Sequence, residues 1–86
     1  FSLSPPSPSL VRTQTRLTLT TRTAQHVDVA LYDVVGRRIR QLYQGTVSPQ
    51  GPVTVHVSAE RLPPGVYFVR ATGQTGSVVR RVTVLR

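Results

Sequence analysis

The chain has 86 residues, a net charge of +8 and no cysteine, methionine, tryptophan or lysine. So short a chain forms one domain around one core, and without cysteine it has no disulfide staple, no thiolate chemistry and no cysteine-bound zinc. The charge favours anionic partners, yet the arginines are scattered from Arg12 to Arg86 with no helix, RNA-reading aromatic pair or zinc motif beside them, so nucleic acid is not an expected partner.

Residues 1–9, FSLSPPSPS, contain three prolines and four serines and read as a linker, which leaves 10–86 as the folded domain. The first residue is Phe1 rather than Met, as expected of a piece of a longer chain. No apolar run approaches the roughly 20 residues of a membrane span, and no signal-peptide pattern is visible; a secretion signal would lie upstream. From residue 10 onward the pattern has period two. Leu17 and Leu19 alternate with Thr18 and Thr20. Val27, Val29 and Leu31 share one face opposite His26, Asp28, Ala30 and Tyr32, and Val53, Val55 and Val57 alternate with Thr54 and His56. Such alternation marks half-buried strands, and no stretch carries a helical stripe.

Between these runs lie turn signals. Asp33-Val34-Val35-Gly36 suits a type I turn, with Asp33 accepting backbone N–H bonds and Gly36 left-handed. Beyond it Ile39 and Leu42 stand three apart, which a regular strand cannot place on one face; a bulge or kink is expected near Arg40 and Gln41. Pro63-Pro64-Gly65-Val66 suits a type II turn with Gly65 at positive φ, and Gly73-Gln74-Thr75-Gly76 a four-residue hairpin loop. Strands are therefore expected over 9–12, 15–22, 26–33, 37–43, 53–58, 66–72 and 77–85. Tyr67 and Val69 should face inward, with Phe68 and Arg70 outward, and Val82 and Val84 inward on the last strand. About seven short strands with frequent turns predict an all-β, immunoglobulin-like antiparallel sandwich, with a small barrel as the alternative.

Reactive groups are few. Asp28 and Asp33 are five apart on one expected strand, so they point to opposite faces and make no acid–base pair. His26 and His56 fall on different strands, and a stable metal site needs three or four ligands. No nucleophile elbow of the G-x-S-x-G type and no Gly-rich phosphate loop is present. The residues predict a non-catalytic domain with no metal and no cofactor. Tyr32, Tyr43 and Phe68 are the rings that could stack on a sugar, although packing between strands explains them more simply.

The blocks LYDVVGRRI and, some 30 residues later, LPPGVYFVR, followed by a basic terminal strand, together resemble the C-terminal sorting domain of the type IX secretion system. The resemblance runs from about Ser4 to Arg86 and rests on Leu31, Tyr32, Asp33, Gly36 and Arg37, then Gly65, Tyr67 and Val69, then Arg80, Arg81 and Arg86. Where the family often has a P-N-P-F element this chain has Pro6-Ser7-Pro8-Ser9, and its terminal strand is basic through Arg where many relatives use Lys. What the resemblance implies is a transport address on a larger exported protein, commonly an extracellular hydrolase such as a glycosidase. Such domains are recognised in the periplasm of a Gram-negative bacterium by the outer-membrane secretion machinery. Often a sortase-like protease removes them and joins the cargo to surface lipopolysaccharide, an anionic polysaccharide; some remain as cell-surface anchors. On this reading Asp33, Gly36, Gly65, Tyr67 and Val69 define the fold, and Arg37, Arg38, Arg80, Arg81 and Arg86 are the candidate recognition residues. LPPGVYFV also resembles a corner of fibronectin type III modules, with the Tyr one residue early, which bears on fold alone. The alternative function is an accessory carbohydrate- or protein-binding module of an extracellular enzyme. A sorting domain must end its reading frame at or next to Arg86, whereas an accessory module can sit anywhere.

Overall fold

Alternate burial along each strand is what builds this structure, a computed structural model that describes residues 1–85. In β3 (Gln14–Thr20) Thr15, Leu17 and Leu19 are buried while Gln14, Arg16 and Thr18 are exposed. β4 (Gln25–Tyr32) buries Val27, Val29 and Leu31, and β6 (Val53–Ser58) buries Val55 and Val57. β7 (Gly65–Gly73) buries Tyr67, Val69 and Ala71, and β8 (Gly76–Val84) buries Val82 and Val84. Two-residue strands β1 (Ser2–Leu3) and β2 (Leu10–Val11) and the long β5 (Arg38–Val47) complete the set.

The strands form two sheets, one in the order β1-β3-β6 and one in the order β2-β8-β7-β4-β5. Their inner faces meet in a single core in which Leu3, Leu17, Leu19, Val27, Val29, Leu31 and Val69 are fully or almost fully buried. All pairings are antiparallel except that of β2 with β8, which is parallel. The first strands are thus divided between the sheets: β1 lies on β3, and β2 lies on β8. This is an immunoglobulin-like sandwich, as the strand count and spacing predict.

Several details depart from the sequence reading. Residues 1–9 have a linker's composition, yet Leu3 is fully buried in the core. Ser4 N–H bonds Thr18 C=O at 2.9 Å and Ser7 N–H bonds Arg16 C=O at 3.0 Å. Pro6 is also buried and Phe1 packs against the core, so a few apolar contacts and free backbone donors lay a Pro-rich segment along a sheet. The hairpin of β7 and β8 pairs Gly73 with Gly76, so only Gln74 and Thr75 form the loop. The chain turns at 59–62, where Leu62 N–H bonds Ala59 C=O at 3.0 Å and Arg61 has φ +65°, rather than at 63–66. Gly65 has the expected positive φ, which favours glycine, but at +150° it is not at the roughly +80° of a type II turn. Two consecutive prolines favour extended chain, and the Pro63 carbonyl accepts the Tyr67 hydroxyl at 2.5 Å.

The irregularity expected near Arg40 and Gln41 is double. Opposite β4 the register of β5 skips once between the partners of Val29 and Ala30 and again between those of Leu31 and Tyr32. The skipped residues are Leu42 and Ile39, and both pack on the core. Two bulges bring to the interior a pair that a flat strand would have divided.

The turn between β4 and β5 is close to its sequence reading. Gly36 N–H bonds Asp33 C=O at 3.0 Å, and Gly36 has φ +85°. A Cβ at Gly36 would meet no heavy atom within 4 Å, so a side chain there is penalised by backbone conformation alone. Gly36→Val should therefore lose about 1–2 kcal/mol of stability, read as a lowered denaturant midpoint with an unchanged slope. An unaltered midpoint would contradict this account of the turn.

Candidate functional site

The basic residues near the end of the chain do not form one cluster, because β8 places successive side chains on opposite faces. Arg80 shares the inner face with Val78, Val82 and Val84. At the edge of the sandwich its Nε donates to the Leu3 carbonyl at 2.8 Å, so Arg80 clips β1 of the smaller sheet to β8 of the larger. Arg81 points outward and is exposed. Arg86 lies outside the described residues. On the far side of the sandwich, Arg40 makes a second clip. Its Nη1 and Nη2 donate to the carbonyls of Ser58 and Glu60 at 3.0 and 3.3 Å, tying β5 to the end of β6. Sequence reasoning missed both clips. The signal for Arg80 was present, since its parity matches that of Val82 and Val84; for Arg40 it was hidden by the bulges.

Arg37 and Arg38 follow the turn at Asp33. Asp33 Oδ1 accepts the N–H of Val35 at 3.1 Å and of Arg37 at 2.9 Å, and its Oδ2 accepts Arg37 Nε at 3.0 Å. The Arg37 N–H holds the Asp33 carboxyl below its ordinary value; desolvation opposes it, and the Val35 N–H, the Arg37 charge and the Arg37 side-chain bond add smaller lowering effects. Arg38 Nη2 reaches Asp28 Oδ1 at 3.4 Å, and Gln41 Nε2 donates to the same oxygen at 3.2 Å. Tyr67 and Val69 face the core, and the bond from the Tyr67 hydroxyl back to Pro63 is the corner contact typical of immunoglobulin-like strands.

Cross-strand registration shows what the outer face of the larger sheet presents. Arg81 pairs with Phe68, Phe68 with Tyr32, and Tyr32 with Arg38. Two half-buried rings therefore stand side by side with an arginine at each end. In the adjacent row Arg70 pairs with Val79 and with Ala30. Val79 is 50% exposed, and Leu10, on the same face, is 57% exposed.

Groups able to do covalent or metal chemistry do not converge. His26 is on β4 and His56 on β6, in different sheets, and among the described residues no three His, Cys, Asp or Glu side chains are grouped. A surface cavity of about 340 Å³ is lined by Ser7, Pro8, Gln14, Thr15, Arg16 and His56, a mixed polar set with no carboxylate. Among the described residues no helix is long and apolar enough to cross a membrane.

A family model described as "Secretion system C-terminal sorting domain" matches residues 6–85, nearly the whole chain. No curated protein matches it.

The Arg80 clip yields a direct test. Arg80→Met keeps much of the aliphatic stem and removes the donor to Leu3, so it should cost about 1–2 kcal/mol. It should also speed amide exchange at Ser4, whose N–H holds β1 to Thr18. Unchanged stability and exchange would mean that the clip does not hold the first strand.

Proposed function

The chain belongs to the family of type IX secretion system C-terminal sorting domains, and from that premise we propose that it is the folded address of a larger exported protein. A domain of this family is a non-catalytic signal for secretion, its partner is the secretion machinery, and its destination is the cell surface or the extracellular space. The observation that carries the reading is the extent of the match, residues 6–85.

The cargo is an extracellular hydrolase, such as a glycosidase, joined upstream. The Ser/Pro-rich residues 1–9 form the junction and also supply the short first strand of the sorting domain, whose remainder is 10–86. The protein passes through the periplasm of a Gram-negative cell, where the domain is read while folded. A sortase-like protease then separates cargo from address and attaches the cargo to surface lipopolysaccharide or a similar anionic polysaccharide. Recognition falls on the basic set Arg37, Arg38, Arg80, Arg81 and Arg86, because guanidinium groups offer planar donor forks to carboxylates and phosphates. Among the described members of that set, Arg80 is bonded to Leu3 and Arg37 and Arg38 are each ion-paired, whereas Arg81 is exposed and makes no ion pair.

The test is a fusion of residues 1–86 to the C-terminus of an inert exported protein, in a host with this secretion system. Surface display of the fusion is expected, and removal of residues 62–86, which deletes β7 and β8, should leave the cargo in the periplasm. A full fusion that stays in the periplasm, or display that survives the deletion, would overturn the sorting function.

A further inference from the structure

We propose that the outer face of the five-stranded sheet, along the row Arg81–Phe68–Tyr32–Arg38 with Arg70 beside it, is a docking surface for an acidic protein. The inference deepens the sorting function and rests on it, for the acidic protein is the component of the secretion machinery that reads the folded domain.

Three observations support this choice of face and partner. First, the rings are not needed for the core. Phe68 and Tyr32 are on the outward parity of β7 and β4 and pair directly across strands, where cross-strand side chains lie about 5 Å apart. Neither helps fill the space between the sheets; Tyr32 is one of the positions that carry the family resemblance, and Phe68 stands between two others, Tyr67 and Val69. Second, the face combines Tyr, Phe and Arg with exposed Val79 and Leu10. This is the composition enriched at protein–protein interfaces, where buried aromatic and arginine side chains supply most of the binding energy. Third, the charge on this face is only partly neutralised among the described residues. The chain has three acids, and the ion pairs among the described residues are Arg37–Asp33 and Arg38–Asp28. Among the described residues, Arg70 and Arg81 make no ion pair.

The same facts argue against other occupants. A second copy would set like charges against each other on a molecule of net charge +8. An anionic polysaccharide would satisfy the arginines, but it stacks on fully presented rings rather than on half-buried ones among branched aliphatic side chains. Nor do the lining residues of the surface cavities include any member of the row.

The experiment has two arms. In the first, fluorescein-labelled poly-L-glutamate and polygalacturonate are titrated onto the 86-residue chain. Three variants are compared with it: Arg70→Gln/Arg81→Gln, the equally charged control Arg12→Gln/Arg16→Gln, and Tyr32→Thr, which removes a ring and keeps a strand former. The face pair and Tyr32→Thr should each weaken polyglutamate binding about tenfold, and the control should weaken it less than about threefold. Equal weakening by the two pairs would mean that net charge alone is read, and would overturn the proposal. Tighter binding of polygalacturonate with the same residue dependence would overturn it in favour of a polysaccharide. In the second arm the face pair and the control pair are placed in the displayed fusion. Periplasmic retention of a stably folded face variant, with normal display of the control, is expected. Normal display of the folded face variant would overturn the docking surface and leave the sorting function standing. Display of the fusion lacking 62–86 would overturn the sorting function itself.

Discussion

Every strand of this domain has to place alternate side chains in the space between two sheets, and the remaining features follow from that period of two. In 86 residues without cysteine, the apolar inner faces are the main source of stability, so nearly every inward position must be aliphatic or aromatic. Leu3, Leu17, Leu19, Val27, Val29, Leu31, Val55, Val57, Val69 and Val82 satisfy it with almost no exposure. Burial of this kind contributes about 25 cal/mol for each Å² of apolar surface, and it leaves little freedom inside. Anything another molecule could read must therefore lie on outer faces, at edges or in turns.

The edges pose a second problem. Sandwiches leave unpaired strand edges, and here the first strand of the smaller sheet is only two residues long. Arg80 and Arg40 close the two sides by donating guanidinium N–H groups to carbonyls of the opposite sheet or its turn. A long flexible stem with a fork of donors can span that gap where no backbone pairing reaches. Part of the arginine content is thus structural, and the charge of the chain does not translate directly into a binding site. On the outer face of the larger sheet, Arg70 and Arg81 make no ion pair among the described residues; Arg81 stands at one end of the paired rings Phe68 and Tyr32, and Arg70 lies in the adjacent row.

Much of this architecture was legible in the sequence because period-two patterning reports inward and outward faces directly. The expected core positions Val27, Val29, Leu31, Val55, Val57, Tyr67, Val69 and Val82 are all buried, and the Asp33–Gly36 turn has the hydrogen bonds and the positive φ that its residues suggest. Three features were not legible, each for a physical reason. Serine and proline in residues 1–9 masked Leu3, since a few isolated apolar side chains are too little to show as a pattern. The Pro-Pro-Gly signal placed a turn at 63–66, whereas Arg61 accepts a left-handed conformation in the preceding loop; non-glycine residues do so too seldom to be read in advance. The inward parity of Arg80 was legible, but the clips themselves were not, because a carbonyl partner leaves no trace in side-chain composition. For the candidate site, the sequence supplied a set of arginines near two motifs. Registration between strands then separated Arg80 from Arg81 and brought Phe68 beside Tyr32, a neighbourhood fixed by pairing and not by sequence distance.

The central claim is that one face of each strand folds the domain and the other addresses it, and β8 allows both to be read in a single series. Alanine is placed in turn at Val78, Val79, Arg80, Arg81, Val82, Thr83 and Val84, and melting temperature and surface display are measured on the same variants. The account predicts a division by parity. Val78, Arg80, Val82 and Val84 variants lose thermal stability, whereas Val79, Arg81 and Thr83 variants melt near the parent temperature, with Arg81→Ala losing display. Display that falls only when stability falls, with Arg81→Ala exported normally, would contradict it.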